Sequence, residues 1–268
     1  MTRRILILIA ALIAAAVFAC VPAQAIVGGQ LAGDQYGAVG EVVLQPSNPS
    51  FPMFDLCSGF LISPTVFVTA GHCALEALGD QAMLGGTIGA ALEPIFDPAH
   101  STFRPAASVF VHADFLANQL SYASPDVAVL VLEHPVTGVE PIGLPAPGAA
   151  DRLAHGTQLT TVGYGFTRDC STDLGHCQVS YDPARRYATE TLISTSQWFI
   201  TVDQNPNAQG EGGICRGDSG GPHLLPGTST AFAVTTAFFS KSCWSTSRDS
   251  RLDTPGVLQF LRQFAPSA

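Results

Sequence analysis

Short apolar runs recur along most of the chain, and each run is bounded by glycine, proline, asparagine or aspartate. These runs occupy residues 39–44, 60–62, 66–69, 127–132, 158–162 and 232–236. Short strands separated by turn-forming residues are typical of antiparallel sandwiches and barrels. The pattern therefore predicts an all-β fold, in which the proline- and glycine-rich segment 133–151 crosses between two halves.

The apolar spacing changes near the C-terminus, and this is the segment for which we predict a helix. Four apolar residues there follow the spacing i, i+3, i+4 and i+7: Val257, Phe260, Leu261 and Phe264. This spacing places them on one face of a short α-helix. We expect that face to pack against the β-structure.

The first 25 residues have the features of an export signal. Arg3 and Arg4 precede an uncharged apolar run over residues 5–19, and the segment 23–25 (AQA) offers a signal-peptidase site. The run is short for a membrane span, so we expect its removal rather than its retention as an anchor. Cleavage before Cys20, as in a lipoprotein, and a twin-arginine export route are alternatives. This interpretation predicts secretion to the extracellular space.

The chain contains seven cysteines, of which Cys20 would be lost with the signal. An even number of cysteines in an exported protein indicates disulfide bonds, although counting alone allows fifteen pairings. No spacing is that of a zinc finger, so metal ligation is the weaker interpretation. The six remaining cysteines are Cys57, Cys73, Cys170, Cys177, Cys215 and Cys243.

The formal net charge is −9, and the acidic excess is concentrated in the first half of the chain. Residues 26–140 contain eleven acidic residues and one basic residue, Arg104. A nucleic-acid-binding groove needs clustered Lys and Arg, and this chain has a single lysine, Lys241. The composition therefore argues against nucleic acid as a partner. It favours an acidic, soluble surface over one that steers basic substrates.

The residue types needed for nucleophilic catalysis occur in a distinctive order. Ser219 lies in segment 217–222 (GDSGGP), whose glycines allow a sharp turn and a close approach of a substrate carbonyl to backbone N–H groups. His72 follows an apolar run in segment 68–73 (VTAGHC), and Asp126 directly precedes another apolar run. Each residue alone has a structural explanation, as a turn, a strand end or a cap.

The segment around Ser219 also matches the G-x-S-x-G turn of α/β-hydrolases, which would make the protein an esterase or lipase. In that fold the acid and then the histidine follow the serine along the chain. Here His223 alone follows Ser219, and it lies too close in sequence to return to the nucleophile. The order His72, Asp126, Ser219 therefore disfavours this alternative.

The chain resembles the chymotrypsin/trypsin family of serine proteases from residue 26 to the C-terminal helix. The segments TAGHC and GDSGGP contain His72 and Ser219, and Asp126 precedes an apolar strand as in that family. Further matching segments are 26–29 (IVGG), 57–62 (CSGFLI), 161–165 (TVGYG, with Tyr164 where Trp is commoner) and 254–257 (TPGV). Together these motifs are specific to the family.

The resemblance implies two six-stranded antiparallel β-barrels followed by a C-terminal α-helix, with the active site in the cleft between the barrels. The peptidase domain would cover residues 26–268, with barrel one at about 26–135 and barrel two at about 150–268. His72 and Asp126 would belong to the first barrel, and Ser219 to the second.

The resemblance also assigns roles to individual residues. Ser219 would attack the peptide carbonyl, His72 would transfer the proton, and Asp126 would orient His72. The backbone N–H groups of Gly217 and Ser219 would form the oxyanion hole. No metal or organic cofactor is expected. The implied disulfides are Cys57–Cys73, Cys215–Cys243 and Cys170–Cys177.

The specificity pocket departs from the family pattern. Trypsin-like members carry an acid six residues before the catalytic serine, where this chain has Gly213 followed by Ile214. Counting back from the second pocket cysteine places Ala237 where a serine usually supports the catalytic aspartate, and Phe239 where a glycine usually keeps the pocket open. A register shifted by one residue is the alternative, although no glycine lies within residues 235–242. Gly256, in the TPGV segment, is a further expected pocket residue. We therefore expect an uncharged, small or medium-sized apolar residue before the scissile bond.

The resemblance also implies a mode of activation. In this family a new N-terminal amine inserts into the protein and pairs with the Asp just before the catalytic Ser. Ile26 and Asp218 match these positions. Signal cleavage after Ala25 would expose the amine of Ile26 directly, so we expect export to be the activation step. Cleavage elsewhere, followed by trimming, is the alternative.

These observations predict a secreted, monomeric serine endopeptidase that hydrolyses protein or peptide substrates through an acyl-enzyme. After signal removal we expect no stable association with a membrane. The alternative is a catalytically inactive family member that acts as a binding module. The complete triad of residue types disfavours that alternative.

Overall fold

The computed structural model describes residues 24–118, 123–169, 178–205, 212–238, 243, 245–266 and 268. Within these residues the chain forms mainly β-strands, with three α-helices and one 3-10 turn. The strands are β1 (Gln24–Ala25), β2 (Gln30–Leu31), β3 (Val39–Gln45), β4 (Phe54–Ser63), β5 (Val66–Thr69), β6 (Thr87–Ala91), β7 (Arg104–Val111), β8 (Ala128–Leu132), β9 (Gln158–Gly163), β10 (Phe166–Asp169), β11 (Gln178–Tyr181), β12 (Arg186–Thr195), β13 (Phe199–Asp203), β14 (Pro222–Leu224), β15 (Ala231–Phe238) and β16 (Thr246–Arg251). The helices are α1 (Gly71–Leu84), α2 (Ala113–Ala117) and α3 (Pro255–Arg262), and the 3-10 turn covers Ala150–Arg152.

The first half of the chain forms a closed antiparallel barrel of six strands, in the order β3-β4-β5-β8-β7-β6. Its interior is packed with fully buried apolar side chains such as Leu61, Phe67 and Leu130, which the strand pairing places on one face. Closure leaves the barrel without an unpaired strand edge, so its rim can hold loops in fixed positions.

The second half forms another six-stranded antiparallel barrel, in the order β13-β16-β15-β14-β9-β12, which the pairing of β12 with β13 closes. Strand β2 from the N-terminal segment adds to β12, and β1, β10 and β11 form a small separate sheet. The predicted fold class, two six-stranded barrels with a C-terminal helix, is confirmed.

The six predicted apolar runs all coincide with strands, and segment 133–151 connects the two barrels without a strand of its own. The apolar pattern did not predict β16, because its sequence, TSRDSR, contains only polar residues. Four of those six residues are nevertheless buried, since they pair with one another and with polar groups of neighbouring strands.

Helix α1 was not predicted. It begins directly after β5 and buries only small residues, Gly71, Cys73, Ala74 and Ala77, so it lacks a stripe of large apolar side chains. Its sequence is nonetheless rich in Ala, Leu, Gln and Glu, which favour helix. Gly85, with φ +66°, ends the helix in a conformation that suits glycine.

The predicted C-terminal helix is present as α3. The Thr254 side chain caps it by accepting from the Val257 N–H, and Pro255 occupies the first turn. Val257 and Leu261 are buried, whereas Phe264 lies beyond the last helical residue. Among the residues described, no helix has the length and apolarity needed to cross a bilayer.

Arg185 holds the two barrels together. It directly precedes β12 and is only 2% exposed. Its guanidinium donates to the carbonyl oxygens of Val39 and Leu92 in barrel one, at 2.9 and 3.1 Å, and to the Tyr164 hydroxyl at 3.1 Å. Hydrogen bonds from a charged group are stronger than neutral ones. They therefore fix the position of one barrel against the other.

The apolar core of barrel one can be tested by substitution. Leu130→Ala, in β8, should lower the free energy of unfolding by about 2–5 kcal/mol, because the substitution leaves a cavity in a closed core. Leu116→Ala is the matched control: Leu116 is 49% exposed, so its loss should cost less than about 0.5 kcal/mol. Denaturant unfolding of both variants measures the difference. Equal losses would contradict the assignment of Leu130 to the core.

Candidate active site

His72 and Asp126 meet at one end of barrel one. Strand β5 ends at Thr69 and α1 begins two residues later, so His72 lies in the first turn of the helix. Its Nδ1 lies 2.6 Å from Asp126 Oδ2, and its backbone N–H donates to Asp126 Oδ1 at 2.8 Å. A side chain at Gly71 would lie 2.7 Å from Phe115 and 2.9 Å from Asp126, so this close approach requires glycine.

The surroundings of His72 raise its pKa above the ordinary value of 6.5. Desolvation alone would lower this pKa. The hydrogen bond that the His72 ring donates to Asp126 and the negative charge of Asp126, with a further contribution from the charge of Glu76, outweigh that effect. The Asp126 side chain is 6% exposed and that of His72 is 36% exposed, so the histidine can reach solvent while the carboxylate cannot.

Two hydroxyl groups lie beside Asp126. Counting along the chain placed Ala237 beside Asp126, without a hydroxyl. In the structure the Asp126 N–H donates to Ser250 Oγ at 2.9 Å, and the Thr236 hydroxyl donates to Ser250 Oγ at 3.0 Å. Ala237 follows a β-bulge in β15 and, like Thr236, borders the same cavity as Asp126 and His72.

Ser219 lies on a glycine-rich loop that barrel one holds in place. Gly217 and Gly220 have φ values of +89° and +87°, which few other residues adopt. The Ser58 N–H, in β4, donates to Ser219 O at 2.9 Å and to Gly217 O at 3.0 Å. The Ser58 hydroxyl donates to Gly217 O at 2.9 Å. The two barrels therefore position the serine jointly.

His72 and Ser219 border the same open cavity of about 630 Å³. Among the described residues, no hydrogen bond joins Ser219 Oγ to the His72 ring, whose Nε2 lies 3.5 Å from Cys73 Sγ. Catalytic hydrogen bonds are often long without substrate and shorten in the substrate complex. The other lining residues are Asp55, Leu56, Cys57, Glu76, Phe166, Tyr181, Arg216 and Gly217.

Two of the expected disulfides are present. Cys57–Cys73 joins β4 to the helix that carries His72, and Cys215–Cys243 joins the segment before Ser219 to the segment before β16. The third pair, Cys170–Cys177, lies outside the described residues. Cys57, Cys73 and His72 are also the one close group of metal-ligating side chains in the described part of the chain, but the disulfide consumes both thiols.

The base of the expected specificity pocket is buried, and the Glu190 carboxylate lies behind it, 3.3 Å from the Ile214 N–H. Ile214 is fully buried, and a side chain at Gly213 would overlap Gln204. Gln204 Oε1 accepts from the Ile214 N–H at 3.1 Å, so an amide that the sequence did not single out occupies this position. Phe239 lies outside the described residues.

Gly256 does not belong to this pocket, contrary to the expectation from the TPGV segment. Thr254 caps α3 and Pro255 begins it, so Gly256 falls in the first helical turn. It is exposed there, beside Asp151 and Arg251 in a separate surface cavity. The motif marks a helix start in this chain rather than a pocket wall.

Ile26 and Asp218 lie next to this pocket base. Ile26 is fully buried, and Val27 pairs with Gly213 through N–H···O bonds of 2.9 and 2.8 Å. The Asp218 carboxylate is fully buried and accepts from the Gly165 and Cys215 N–H groups, both at 2.8 Å. Desolvation raises the pKa of Asp218 to about 7, although both hydrogen bonds act to lower it.

Sequence analysis missed a group of buried charges inside barrel two. His223, Glu190 and Asp249 have no exposed surface and contact one another. The sequence offered little signal for them, because β12, β14 and β16, in which they stand, were not among the predicted apolar runs.

A protein-family model described as Trypsin matches residues 27–265. Two curated relatives also match the chain. A trypsin of Phaedon cochleariae is 31% identical over 186 residues, which are 65% of this chain and 66% of the relative. Trypsin iota of Drosophila melanogaster is 28% identical over 171 residues, 62% of each chain. The chain therefore spans slightly less than two thirds of the length of these relatives.

Solved structures with the same fold include human heparin binding protein. One of its structures has a TM-score of 0.64 at 18% identity and covers 91% of this chain and 98% of its own. A mutant of the same protein has a TM-score of 0.65, also at 18% identity, and covers 90% and 97%. At this identity the likeness concerns the fold alone.

The raised pKa of His72 leads to a prediction that is independent of any activity. In Asp126→Asn the pKa of His72 should fall, because the neutral amide no longer stabilises the imidazolium. Glu76→Gln should lower it by less, since Glu76 contributes only through its charge. NMR titration of the His72 ring measures both effects. An unchanged pKa in Asp126→Asn would show that the pair is not coupled.

Proposed function

Because the chain belongs to the trypsin family, we propose that it is a secreted serine endopeptidase with His72, Asp126 and Ser219 as its catalytic triad. The observation that carries this proposal is the juxtaposition of three groups. Asp126 binds His72 at 2.6 Å, and His72 borders the same cavity as Ser219. Function in this fold depends on such a site rather than on the fold itself.

The proposed reaction proceeds through an acyl-enzyme. Ser219 Oγ attacks the peptide carbonyl while His72 accepts the serine proton, and the resulting oxyanion accepts hydrogen bonds from the Gly217 and Ser219 N–H groups. His72 then gives the proton to the leaving amine, and the C–N bond breaks. A water molecule, deprotonated by His72, hydrolyses the ester and restores Ser219. Asp126 holds the imidazole in the required orientation throughout.

The pocket supports a preference for an uncharged residue before the scissile bond. Gly213, Ile214 and Gln204 carry no charge at its base, and the nearby Glu190 carboxylate is fully buried against His223, so a Lys or Arg side chain of the substrate would find no accessible carboxylate there. The same proposal includes protein and peptide substrates, a monomeric state and an extracellular location. It also includes the absence of stable binding to membranes or nucleic acids.

The alternative is an inactive family member that binds a ligand. Heparin is a polyanion, and its recognition requires clustered Lys and Arg side chains. This chain has 12 basic against 21 acidic residues, so the binding named for its structural neighbours has no support in its charge. Peptidase activity that depends on Ser219 distinguishes the enzyme from the binding module.

Ser219→Ala should reduce the peptidase rate about a million-fold while leaving the fold unchanged, because no other described group in the cavity can replace the nucleophile. Cleavage of a denatured protein substrate, followed by mass spectrometry, measures the effect. Ser229→Ala, an exposed serine of the same barrel, is the matched control and should retain full activity. Wild-type protein without activity, or an active Ser219→Ala variant, would contradict the proposal.

We also propose that export activates the protein by freeing the amine of Ile26. In the uncleaved chain Ile26 has φ +46°, a conformation that is unfavourable for a β-branched residue by roughly 1–3 kcal/mol. Cleavage after Ala25 would release this constraint and create a cation that can pair with the buried Asp218. The pair would hold the loop that carries the Gly217 and Ser219 N–H groups.

Protein that begins at Ile26 should therefore be at least tenfold more active than protein that retains Ala25. Asp218→Asn should also be nearly inactive, because breaking a buried pair costs about 3–5 kcal/mol. Asp34→Asn, an exposed carboxylate, is the control and should be unaffected. N-terminal sequencing together with kcat/KM provides the measurement. Full activity of the extended form would show that the free amine is not needed.

A further inference from the structure

Barrel two encloses a histidine between two carboxylates. His223 stands in β14, four residues after Ser219, and is fully buried. Its Nδ1 lies 3.0 Å from Glu190 Oε2 in β12, and its Nε2 lies 3.4 Å from Asp249 Oδ1 in β16. The Thr235 hydroxyl in β15 lies 3.0 Å from the same Nε2. Side chains from four strands of barrel two, β12, β14, β15 and β16, therefore converge on one imidazole.

The charges of this group favour a protonated imidazole. Burial alone would lower the pKa of His223, but Asp249 and Glu190 outweigh this and raise it to about 10. Each ring nitrogen lies within ion-pair distance of a carboxylate oxygen, and Nε2 also forms a hydrogen bond with the Thr235 hydroxyl. Asp218 is the remaining charged group near this cluster, and its pKa responds to both Glu190 and His223.

Each carboxylate also binds a backbone amide of the proposed specificity pocket. Glu190 Oε1 accepts from the N–H of Ile214, at the pocket base, at 3.3 Å. Asp249 Oδ1 accepts from the N–H of Thr236 at 3.2 Å. Thr236 and Ala237, which border a cavity beside His72, are the described part of the expected pocket wall. His223 thus lies at the centre of a network whose two ends hold the base and the wall.

We propose that His223, with Glu190 and Asp249, is a positioning residue that fixes the base and the wall of the specificity pocket and thereby determines selectivity for the residue before the scissile bond. This inference rests on the proposed peptidase function and deepens it. The triad residues do not contact His223 directly, so the expected effect concerns the choice of substrate more than the chemical step. Without the central cation the two carboxylates would repel each other, and the amides at Ile214 and Thr236 would lose their fixed separation.

A ratio of kcat/KM values between two peptides measures selectivity, and this ratio does not change when a variant is merely less stable. The exported, processed protein is assayed on a set of peptides that differ only in the apolar residue before the scissile bond. The ratio of kcat/KM for the best and poorest residue is then independent of the fraction of protein that is folded. Pockets of fixed shape discriminate apolar side chains by about 10–200-fold. In His223→Gln, a neutral side chain that can still form hydrogen bonds, this ratio should fall about tenfold.

Leu224→Ala is the matched control, because Leu224 is a buried apolar neighbour in the same strand. Leu224→Ala should lower kcat/KM by the same factor for every peptide, so the ratio between the best and the poorest peptide should stay unchanged. If His223→Gln does not fold, Asp249→Asn carries the test, since it removes the charge but keeps an acceptor for the Thr236 N–H. It should lower the ratio in the same direction.

A ratio within about threefold of the wild-type value in a folded His223→Gln or Asp249→Asn variant would overturn the inference while leaving the peptidase proposal intact. Wild-type protein that cleaves no peptide and fails to react with a fluorophosphonate would overturn the peptidase proposal, and this inference with it. A fall in the ratio for Leu224→Ala equal to that for His223→Gln would also overturn it, because the network would then have no specific role.

Discussion

The hydrogen bonds of Ser58 across the barrel interface are the contacts on which the candidate site depends. From β4 in barrel one, Ser58 donates to the carbonyl oxygens of Gly217 and Ser219, while its hydroxyl accepts from the Tyr164 N–H at 3.0 Å. His72 and Asp126 belong to barrel one and Ser219 to barrel two. The geometry of the site is therefore a property of the interface, which the buried Arg185 also stabilises.

Much of the architecture could be predicted from the sequence, because its apolar strands and its glycine-rich turns are local signals. The runs that became β3, β5 and β9 are apolar segments bounded by turn residues, and the i, i+3, i+4 pattern of α3 is equally local. The residues around His72, Asp126 and Ser219 could be identified for the same reason. Each is defined by a few neighbours along the chain.

The remaining features depend on contacts between distant segments. The hydroxyl pair of Thr236 and Ser250 beside Asp126 could not be predicted, because it forms between β15 and β16 across a bulge in β15. Gly256 was misplaced because a short motif can begin a helix as well as line a pocket. Strand β16 and the charges around His223 could not be predicted, since polar strands are buried only when partners from other strands satisfy them.

The division of the site between two barrels has a consequence for heating the protein. A displacement of the barrels by about 1 Å would separate the Ser219 loop from His72, and such misplacement alone can reduce a rate about a hundredfold. Each closed barrel retains its own strand pairing during that displacement. Catalysis should therefore disappear at a lower temperature than the circular dichroism of the strands, and should return on cooling as long as neither barrel has melted.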